Sequence, residues 1–421
     1  MLWWLGHFLF LPLWGPLKHT PQIPTPISPN SSVKYQAQPN QVVEVICSGT
    51  PFEMGLAQGT VLKSKIHAAR EVLTKLEAFR LKQPWWLPLA GYLWLSERRA
   101  TRFLELPLKR DYPEMKDRLA GIAQGAGVSA GRIHLFNALE PLLSSIGGST
   151  TCPGACSAVA VRGSRSVTGE PMLARNFDYL PLIQPYYVVR ESQPKKGFRS
   201  LEFTTVPLAG VVDGMNEKGL AITYDYAFTT DRSPVPSGPI SMAISEALER
   251  CTSVAQAADW INKKPRAGGG LLMMADAQGD IASLELSNTR SHLRRPTPGE
   301  DTLFHTNNYA GESMLEVQIP ENAIYNDNAP SPLRGRRVHH SSDMRNQRYR
   351  QLLDNKKIFD EETLAALMAD HGENGIPNDF TPCVHGSYWQ TTACLQFFPK
   401  SGKIRVAYDL ACQAKYREIG F

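Results

Sequence analysis

The chain has 421 residues, 42% of them hydrophobic and 20% charged, which is enough for one large or two medium globular cores and unlike a disordered composition. Its 45 Lys and Arg against 40 Asp and Glu leave a formal charge of +5, too small and too scattered to argue for nucleic acid. Beyond the first twenty residues there is no uncharged apolar run of the length, about 18 residues, that a spanning helix needs, so a polytopic helical membrane protein is excluded.

Residues Leu2 to Leu17 are apolar, with Pro12 and Pro16 interrupting, no basic residues at the start and no A-x-A cleavage site. We expect residues 1–19 to serve as an export signal or short membrane anchor. That would place the protein in the periplasm or outside the cell, membrane-anchored if the segment is retained. Residues 20–41, with Pro21, Pro24, Pro26, Pro29 and Pro39, read as an extended linker, and Asn30-Ser31-Ser32 is a formal glycosylation sequon.

The folded chain is expected from Val42. VVEVICSG alternates as a strand does. The stretch from Pro51 to about residue 82 carries apolar residues at helical steps. Trp85, Trp86, Leu89, Tyr92, Leu93 and Trp94 suggest a buried helical hairpin rather than a membrane-facing or acyl-binding patch. Residues 113–143 predict two more helices, split near Gly127.

At Cys156 the texture changes. CSAVAVRG, PMLARNF, YYVVRES, SLEFTTV, GVVDGM and LAITYDY are short β-rich runs, followed by a strong helical pattern over ISMAISEALERCTSVAQAADWINK. GLLMMADAQGDIASLELS predicts a hairpin around Gly279. Helices at about 343–355 and 360–370 precede two last strands, TTACLQFF and IRVAYD. Strands in runs with segregated helices argue an α+β fold and not a doubly wound βαβ sheet.

Seven cysteines stand at Cys47, Cys152, Cys156, Cys251, Cys383, Cys394 and Cys412. They form no CxxC pair and no CxxC…HxxxH set, so neither a structural zinc site nor any other metal or cofactor is expected. Cys156 opens an apolar strand after a Pro-Gly turn, with the small Ala155 before it. Such a thiol can reach the preceding carbonyl, as a self-cleaving nucleophile must. Arg175 and Asp178 lie on the partner strand of a predicted hairpin, where Arg175 would lower the thiol pKa and Asp178 would orient a new α-amine. Cys152 is a rival, disfavoured by the following Pro153. A Cys/His dyad using His385 is the alternative chemistry, or else His385 is structural. His371 is expected at a helix C-terminus and Asn216 in the Met215–Gly219 turn.

The stretch GACSAVAV…GEPMLARNFDY resembles the nucleophile segment of the N-terminal-nucleophile hydrolases, above all the C45 peptidase group of acyl-coenzyme A:6-aminopenicillanic acid acyltransferase-like proteins. Choloylglycine hydrolases, penicillin V acylases and acid-ceramidase-like amidases are more distant relatives. CSGTPFEMGLAQGTVL, RLAGIAQGAGV, GMNEKGLAIT, FHTNNY, SSDMRNQRYRQLL and the C-terminal TPCVHGSYWQTTACLQFFPKSGKIRVAY resemble further segments in the same order, over about Val42 to Cys412. The resemblance implies a four-layer αββα sandwich, divided by autocleavage between Ala155 and Cys156. A helical 42–155 segment and a catalytic 156–421 segment would stay associated.

It also implies an amidohydrolase or acyltransferase acting on a linear C–N bond of an acylated small molecule through a thioester. The acyl acceptor would be water or an amine, and a co-substrate would be an amine or an acyl-thioester. The alternatives are a Cys/His hydrolase without self-cleavage and a catalytically silent exported binding protein. Cys156 falls on the nucleophile, Arg175 and Asp178 on the pair that orients it, Asn307 on an oxyanion donor, and Arg345 near a supporting arginine, with Arg348 as the fallback. Asn308 stands where histidine is common. Tyr226 stands where bile-salt hydrolases carry a second oxyanion asparagine, so that donor is expected from backbone.

Overall fold

A computed structural model describes residues 14–15, 42–144 and 155–421. The expected export segment apart from Trp14 and Gly15, the whole linker and Cys152 therefore lie outside the described residues. Thr50 starts the first long helix as its N-cap: its hydroxyl accepts from the Glu53 N–H at 3.3 Å, and the Glu53 carboxylate accepts from the Thr50 N–H at 2.8 Å. The strand before it is β1 (Glu44–Gly49) and the helix is α1 (Pro51–Val61). The helical pattern to residue 82 is broken at Leu62 and Leu76, giving α2 (Lys63–Lys75) and a single turn at Glu77–Arg80. Then come α3 (Leu89–Arg110), α4 (Pro113–Ala126) and α5 (Ala130–Ser144), with Gly127 between the last two in the left-handed conformation that ends α4. Only part of the aromatic stretch is buried. Tyr92 and Leu93 enter the core, but Trp85 is 95% exposed and Trp86 and Trp94 about half exposed, so the expected buried hairpin is corrected to a turn and helix start with outward-facing tryptophans. None of the described helices is long and apolar enough to cross a membrane.

After Cys156 the chain forms β2 (Ser157–Val161), β3 (Met172–Tyr179), β4 (Tyr187–Pro194), β5 (Ser200–Thr205), β6 (Asp213–Asn216) and β7 (Ala221–Ala227). The predicted long helix is two, α6 (Ile240–Arg250) and α7 (Val254–Asn262), because Ser253 caps a new start. Next are β8 (Gly269–Ala275), β9 (Ile281–Leu286), β10 (Ser291–Arg294), β11 (Thr302–His305), α8 (His340–Asp354), α9 (Glu361–Met368), β12 (Gln390–Phe398), β13 (Lys403–Ala407) and β14 (Arg417–Gly420). The predicted hairpin is β8–β9, turning at Gly279. Asn216 closes the β6–β7 turn as expected: its side-chain oxygen accepts from Lys218 and Leu220, and its amide donates to the Leu248 and Cys251 carbonyls at the end of α6.

Two large sheets result. One runs β10-β9-β8-β7-β6-β5-β4-β1 and the smaller β11-β2-β3-β12-β13-β14. All pairs within them are antiparallel except β1 with β4. Residues alternate between faces, so each strand feeds two cores. Ala158, Ala160, Leu173 and Phe177 of the small sheet meet Leu201, Phe203, Met215 and Met273 of the large one in a core between the sheets. Val159, Val161, Met172 and Ala174 turn outward onto Tyr349, Leu353 and Leu364 of α8 and α9. The outer face of the large sheet, with Ile222 and Leu272, packs on α1–α7. The architecture is the four-layer αββα sandwich, in the α+β class.

The two Gly-rich stretches pack on each other. A Cβ built on Gly55 would lie 2.0 Å from the Arg118 carbonyl, and one on Gly121 would lie 2.2 Å from the Phe52 carbonyl; Gly59 and Gly125 repeat the pattern. The backbones of α1 and α4 therefore touch, and a side chain must push them apart. Gly121→Ala should destabilise by about 2–3 kcal/mol, because overpacking outweighs the roughly 1 kcal/mol that alanine gains in helix propensity. A denaturant titration reads this directly; an unchanged midpoint would contradict the close approach.

Candidate active site

Period-two alternation sets the site. On β3, Arg175 shares its face with Leu173 and Phe177 and points between the sheets, while Asp178 lies on the opposite face. β2 pairs antiparallel with β3, Ser157 opposite Asn176 and Ala158 opposite Arg175, which brings both residues beside Cys156 as the hairpin spacing predicted. The thiol is 3% exposed. Arg175 Nη2 donates to its sulfur at 3.4 Å, and the sulfur approaches the Asp178 carbonyl at 3.7 Å.

Arg175 is held from the other sheet. Its Nε donates to Asp225 Oδ1 at 2.8 Å, Nη1 to Asp213 Oδ2 at 2.7 Å, and Nη2 to the Tyr224 carbonyl at 2.6 Å, while Phe177 stacks under the guanidinium at 4.5 Å. All three charged side chains are buried. His305 Nε2 lies 3.2 Å from the second Asp225 oxygen, and its Nδ1 meets Ser283 Oγ at 2.8 Å. Asp213, Asp225 and His305 were not singled out in the sequence. The first two sit on strands that look like ordinary core strands, and the signal that could have found them is a pair of carboxylates on the inward face of consecutive strands, opposite a buried arginine.

Arg345 and Asn307 form the other wall. Arg345 Nη1 donates to the Cys156 carbonyl at 2.8 Å, Nη2 to Asn307 Oδ1 at 2.9 Å and Nε to Ser341 Oγ at 3.2 Å. Asn307 Nδ2 donates to the Tyr226 carbonyl at 2.7 Å, so the backbone of Tyr226 acts in this site as an acceptor that positions Asn307. Ser342 Oγ fixes the segment, accepting from the Asn307 N–H at 2.9 Å and meeting Thr306 Oγ1 at 2.8 Å. Arg345, not Arg348, is the buried arginine of the site; Arg348 pairs with Asp370 outside it. Asn308 turns away to Asp343 and His339. His385 Nε2 meets Cys383, Cys412 and His371 rather than Cys156, and so is not placed as the base of a dyad on that thiol.

Asp178 Oδ1 accepts from Thr391 Oγ1 at 2.5 Å, while its Oδ2 is buried with no hydrogen-bond partner. Burial lifts the Asp178 carboxyl to about 8 in spite of Arg345 and Thr391, so in the intact chain it is mostly protonated at neutral pH. Burial likewise lifts Asp213 to about 7 against the pull of Arg175. The Cys156 thiol also moves up: desolvation outweighs the Arg175 guanidinium. The sequence expectation of a lowered thiol pKa is corrected, because burial disfavours the thiolate by more than Arg175 favours it, and the nearby Asp225 and Asp178 oppose Arg175.

The thiol opens on an apolar cavity of about 150 Å³ between the large sheet and the helices, lined among others by Val72, Leu76, Phe136, Ile183, Val206 and Ile240. A polar pair interrupts the lining: Tyr224 Oη donates to Glu140 Oε1. Burial raises Glu140 to about 7 against that hydrogen bond.

The family model of acyl-coenzyme A:6-aminopenicillanic acid acyl-transferase matches residues 166–409, more than half the chain. The match begins just after Cys156 and contains Arg175, Asp178, Asn307 and Arg345. No curated protein matches. Among solved structures, an N-acylethanolamine-hydrolyzing acid amidase ortholog of Caenorhabditis elegans is similar at 12% identity, covering 63% of this chain and 100% of its own, with a TM-score of 0.41. Penicillin V acylase from Agrobacterium tumefaciens is similar at 17% identity, covering 63% and 86%, with a TM-score of 0.37. A mutant of the conjugated bile acid hydrolase from Clostridium perfringens is similar at 13%, covering 63% and 97%, with a TM-score of 0.34. All three likenesses are distant. On the matched span, the chain belongs to the acyl-coenzyme A:6-aminopenicillanic acid acyl-transferase family.

Proposed function

We propose that this protein is a cysteine amidohydrolase or acyltransferase that matures by cutting itself between Ala155 and Cys156. The observation that carries the proposal is the buried Cys156 thiol, held by Arg175 at the foot of an apolar cavity. In maturation the sulfur attacks the Ala155 carbonyl carbon. A carbon–sulfur bond forms, the bond from that carbon to the Cys156 nitrogen breaks, and the thiol proton leaves on the new amine. Water then hydrolyses the thioester, restoring the thiol and leaving Ala155 as a carboxylate. In turnover the same sulfur attacks the carbonyl carbon of a substrate amide: the α-amine takes the thiol proton, a carbon–sulfur bond forms, the amide C–N bond breaks, and the amine leaves with that proton. An α-amine has a reference pKa of about 7.7–8.0, which suits it to move a proton near neutral pH. Water, or an amine acceptor, then takes the acyl group.

Asp178 has a role on this route. Its Oδ2 is buried without a hydrogen-bond partner, and once the carboxyl has lost its proton that oxygen can accept from the freed α-ammonium of Cys156. A positive charge there lowers the Asp178 pKa and turns the neutral carboxyl of the precursor into a carboxylate in the mature enzyme. The cavity favours an apolar acyl group about the size of a benzene ring, since about 150 Å³ is the volume that holds one.

Intact mass of the purified chain tests maturation: two fragments meeting at Ala155–Cys156 support it, and one uncut, active chain refutes it. A screen of acylated amines on the cut protein then identifies the acyl group. In the cut enzyme Asn307→Ala should lower kcat by about 10²–10³, the value of one oxyanion donor. Unchanged kcat in a folded, cut variant would remove Asn307 from that role. Export or anchoring by residues 1–19 belongs to the same proposal, and a membrane-fraction assay on the full chain checks it.

A further inference from the structure

The structure assigns a tetrahedral zinc site to His371, Cys383, His385 and Cys412, at one end of the small sheet. The four side chains come from three separate segments: the loop after α9, the loop before β12, and the turn at Ala411–Gln413 that follows β13. Their ligand atoms all lie within 4.8 Å of one another. Three of them crowd one nitrogen: His385 Nε2 is 3.1 Å from His371 Nε2, 3.3 Å from Cys383 Sγ and 3.6 Å from Cys412 Sγ.

Zinc binds cysteine sulfur at about 2.3 Å and histidine nitrogen at about 2.0–2.1 Å, so ligand atoms at the corners of a tetrahedron stand about 3.3–3.8 Å apart. The separations around His385 lie within about 0.2 Å of those edges, and the remaining pairs lie within 4.8 Å, so small side-chain shifts close the tetrahedron. Two thiolates and two neutral imidazoles cancel the charge of a divalent ion, and a soft sulfur pair with nitrogen selects zinc over magnesium or calcium. Cys383 is fully buried and Cys412 exposed, so the site is anchored on one side and open to an entering ion on the other. The regular spacing of a zinc finger is missing because the fold, not a local hairpin, brings the ligands together.

The site also bears on the catalytic wall. Asn176 of β3, next to Arg175, donates to the Met368 and Pro382 carbonyls at 2.8 Å each, which ties β3 to the segments just before His371 and just before Cys383. Val384, between two of the ligands, donates its N–H at 2.9 Å to Thr391 Oγ1, which in turn donates to Asp178 Oδ1. A metal that fixes residues 383–385 therefore fixes the hydroxyl that orients Asp178.

The test uses the full chain purified without a histidine tag. Elemental analysis should give one zinc per chain. Cobalt exchanged into the site should show the d–d and thiolate charge-transfer bands of a tetrahedral centre with two cysteine and two histidine ligands. Cys412→Ser, a change at an exposed position, should lose the zinc and the cobalt bands while autocleavage at Cys156 is still readable by mass, so this result stands apart from the proposed activity. Removing zinc from the unaltered protein with a chelator should lower its Tm, and returning zinc should restore it. A chain that binds neither zinc nor cobalt when supplied with an equivalent of either would overturn the assignment. So would peptide mass showing Cys383 and Cys412 joined as a disulfide, two hydrogens lighter, or a Cys412→Ser variant that keeps its full zinc content.

Discussion

Cys156→Ala is expected to leave one uncut, inactive chain. The alanine keeps the small, buried position at the head of β2, and Ser157 Oγ still meets Tyr349 at 2.8 Å, so the sandwich should fold as before. What disappears is the sulfur that Arg175 and the Asp178 carbonyl hold beside the Ala155–Cys156 bond. Without a nucleophile the peptide has no route to a thioester, and without cleavage there is no α-amine to act as base. Both losses act together, so turnover should fall to background. Cys156→Ser keeps an attacking oxygen and should cut slowly. Mass spectrometry of the purified variants reads the outcome within one experiment, and normal fragments from the alanine variant would move the nucleophile elsewhere.

Arg175→Ala should depress maturation and turnover together, and it should also cost stability. Arg175 is the cation between two buried carboxylates, and removing one member of a buried ion pair typically costs about 3–5 kcal/mol. The pH dependence distinguishes this from a simple packing defect. Asp213 is already lifted to about 7 with Arg175 in place, and losing the guanidinium lifts it further. A carboxyl whose folded pKa is raised folds best when protonated, and its contribution is lost as pH rises through the folded pKa. The variant should therefore lie closest to the wild-type stability in mild acid and fall away in mild alkali. Urea midpoints at two pH values measure this. A pH-independent deficit would mean that the two carboxylates do not depend on Arg175 for their charge balance.

Much of the fold was legible because burial writes a period into each segment. The alternation of β2 and β3 and the short β-rich runs after Cys156 placed most of the strands of both sheets. The Gly-rich stretches around Gly55 and Gly121 were visible as a resemblance, and the structure supplies their cause, which is backbone contact between α1 and α4. Errors came where neighbours, not periodicity, decide. Leu62, Leu76 and Cys251 interrupt helices that the apolar pattern alone carries through. β10 and β11 are short and only partly buried, so they leave a weak pattern, although β11 delivers Thr306 and Asn307 to the site. Trp85 and Trp86 read as core by composition and are exposed because a turn, not a helix, carries them.

The sequence by itself determined the α+β layering, the hairpin that returns Arg175 and Asp178 to Cys156, and the choice of Asn307 and Arg345 for the far wall. The first two follow from local period, whereas Asn307 and Arg345 were indicated only by the family resemblance of ordered motifs along the chain. The tertiary structure alone decided that Arg175 is shared by Asp213 and Asp225, because those carboxylates reach it across the gap between two sheets, from positions 38 and 50 residues away in the chain. It decided the direction of the Cys156 pKa, since desolvation depends on what surrounds the thiol and not on which residue stands near it in the chain. It also decided the meeting of His371, Cys383, His385 and Cys412, whose spacing is irregular because three separate loops of the packed small sheet place them.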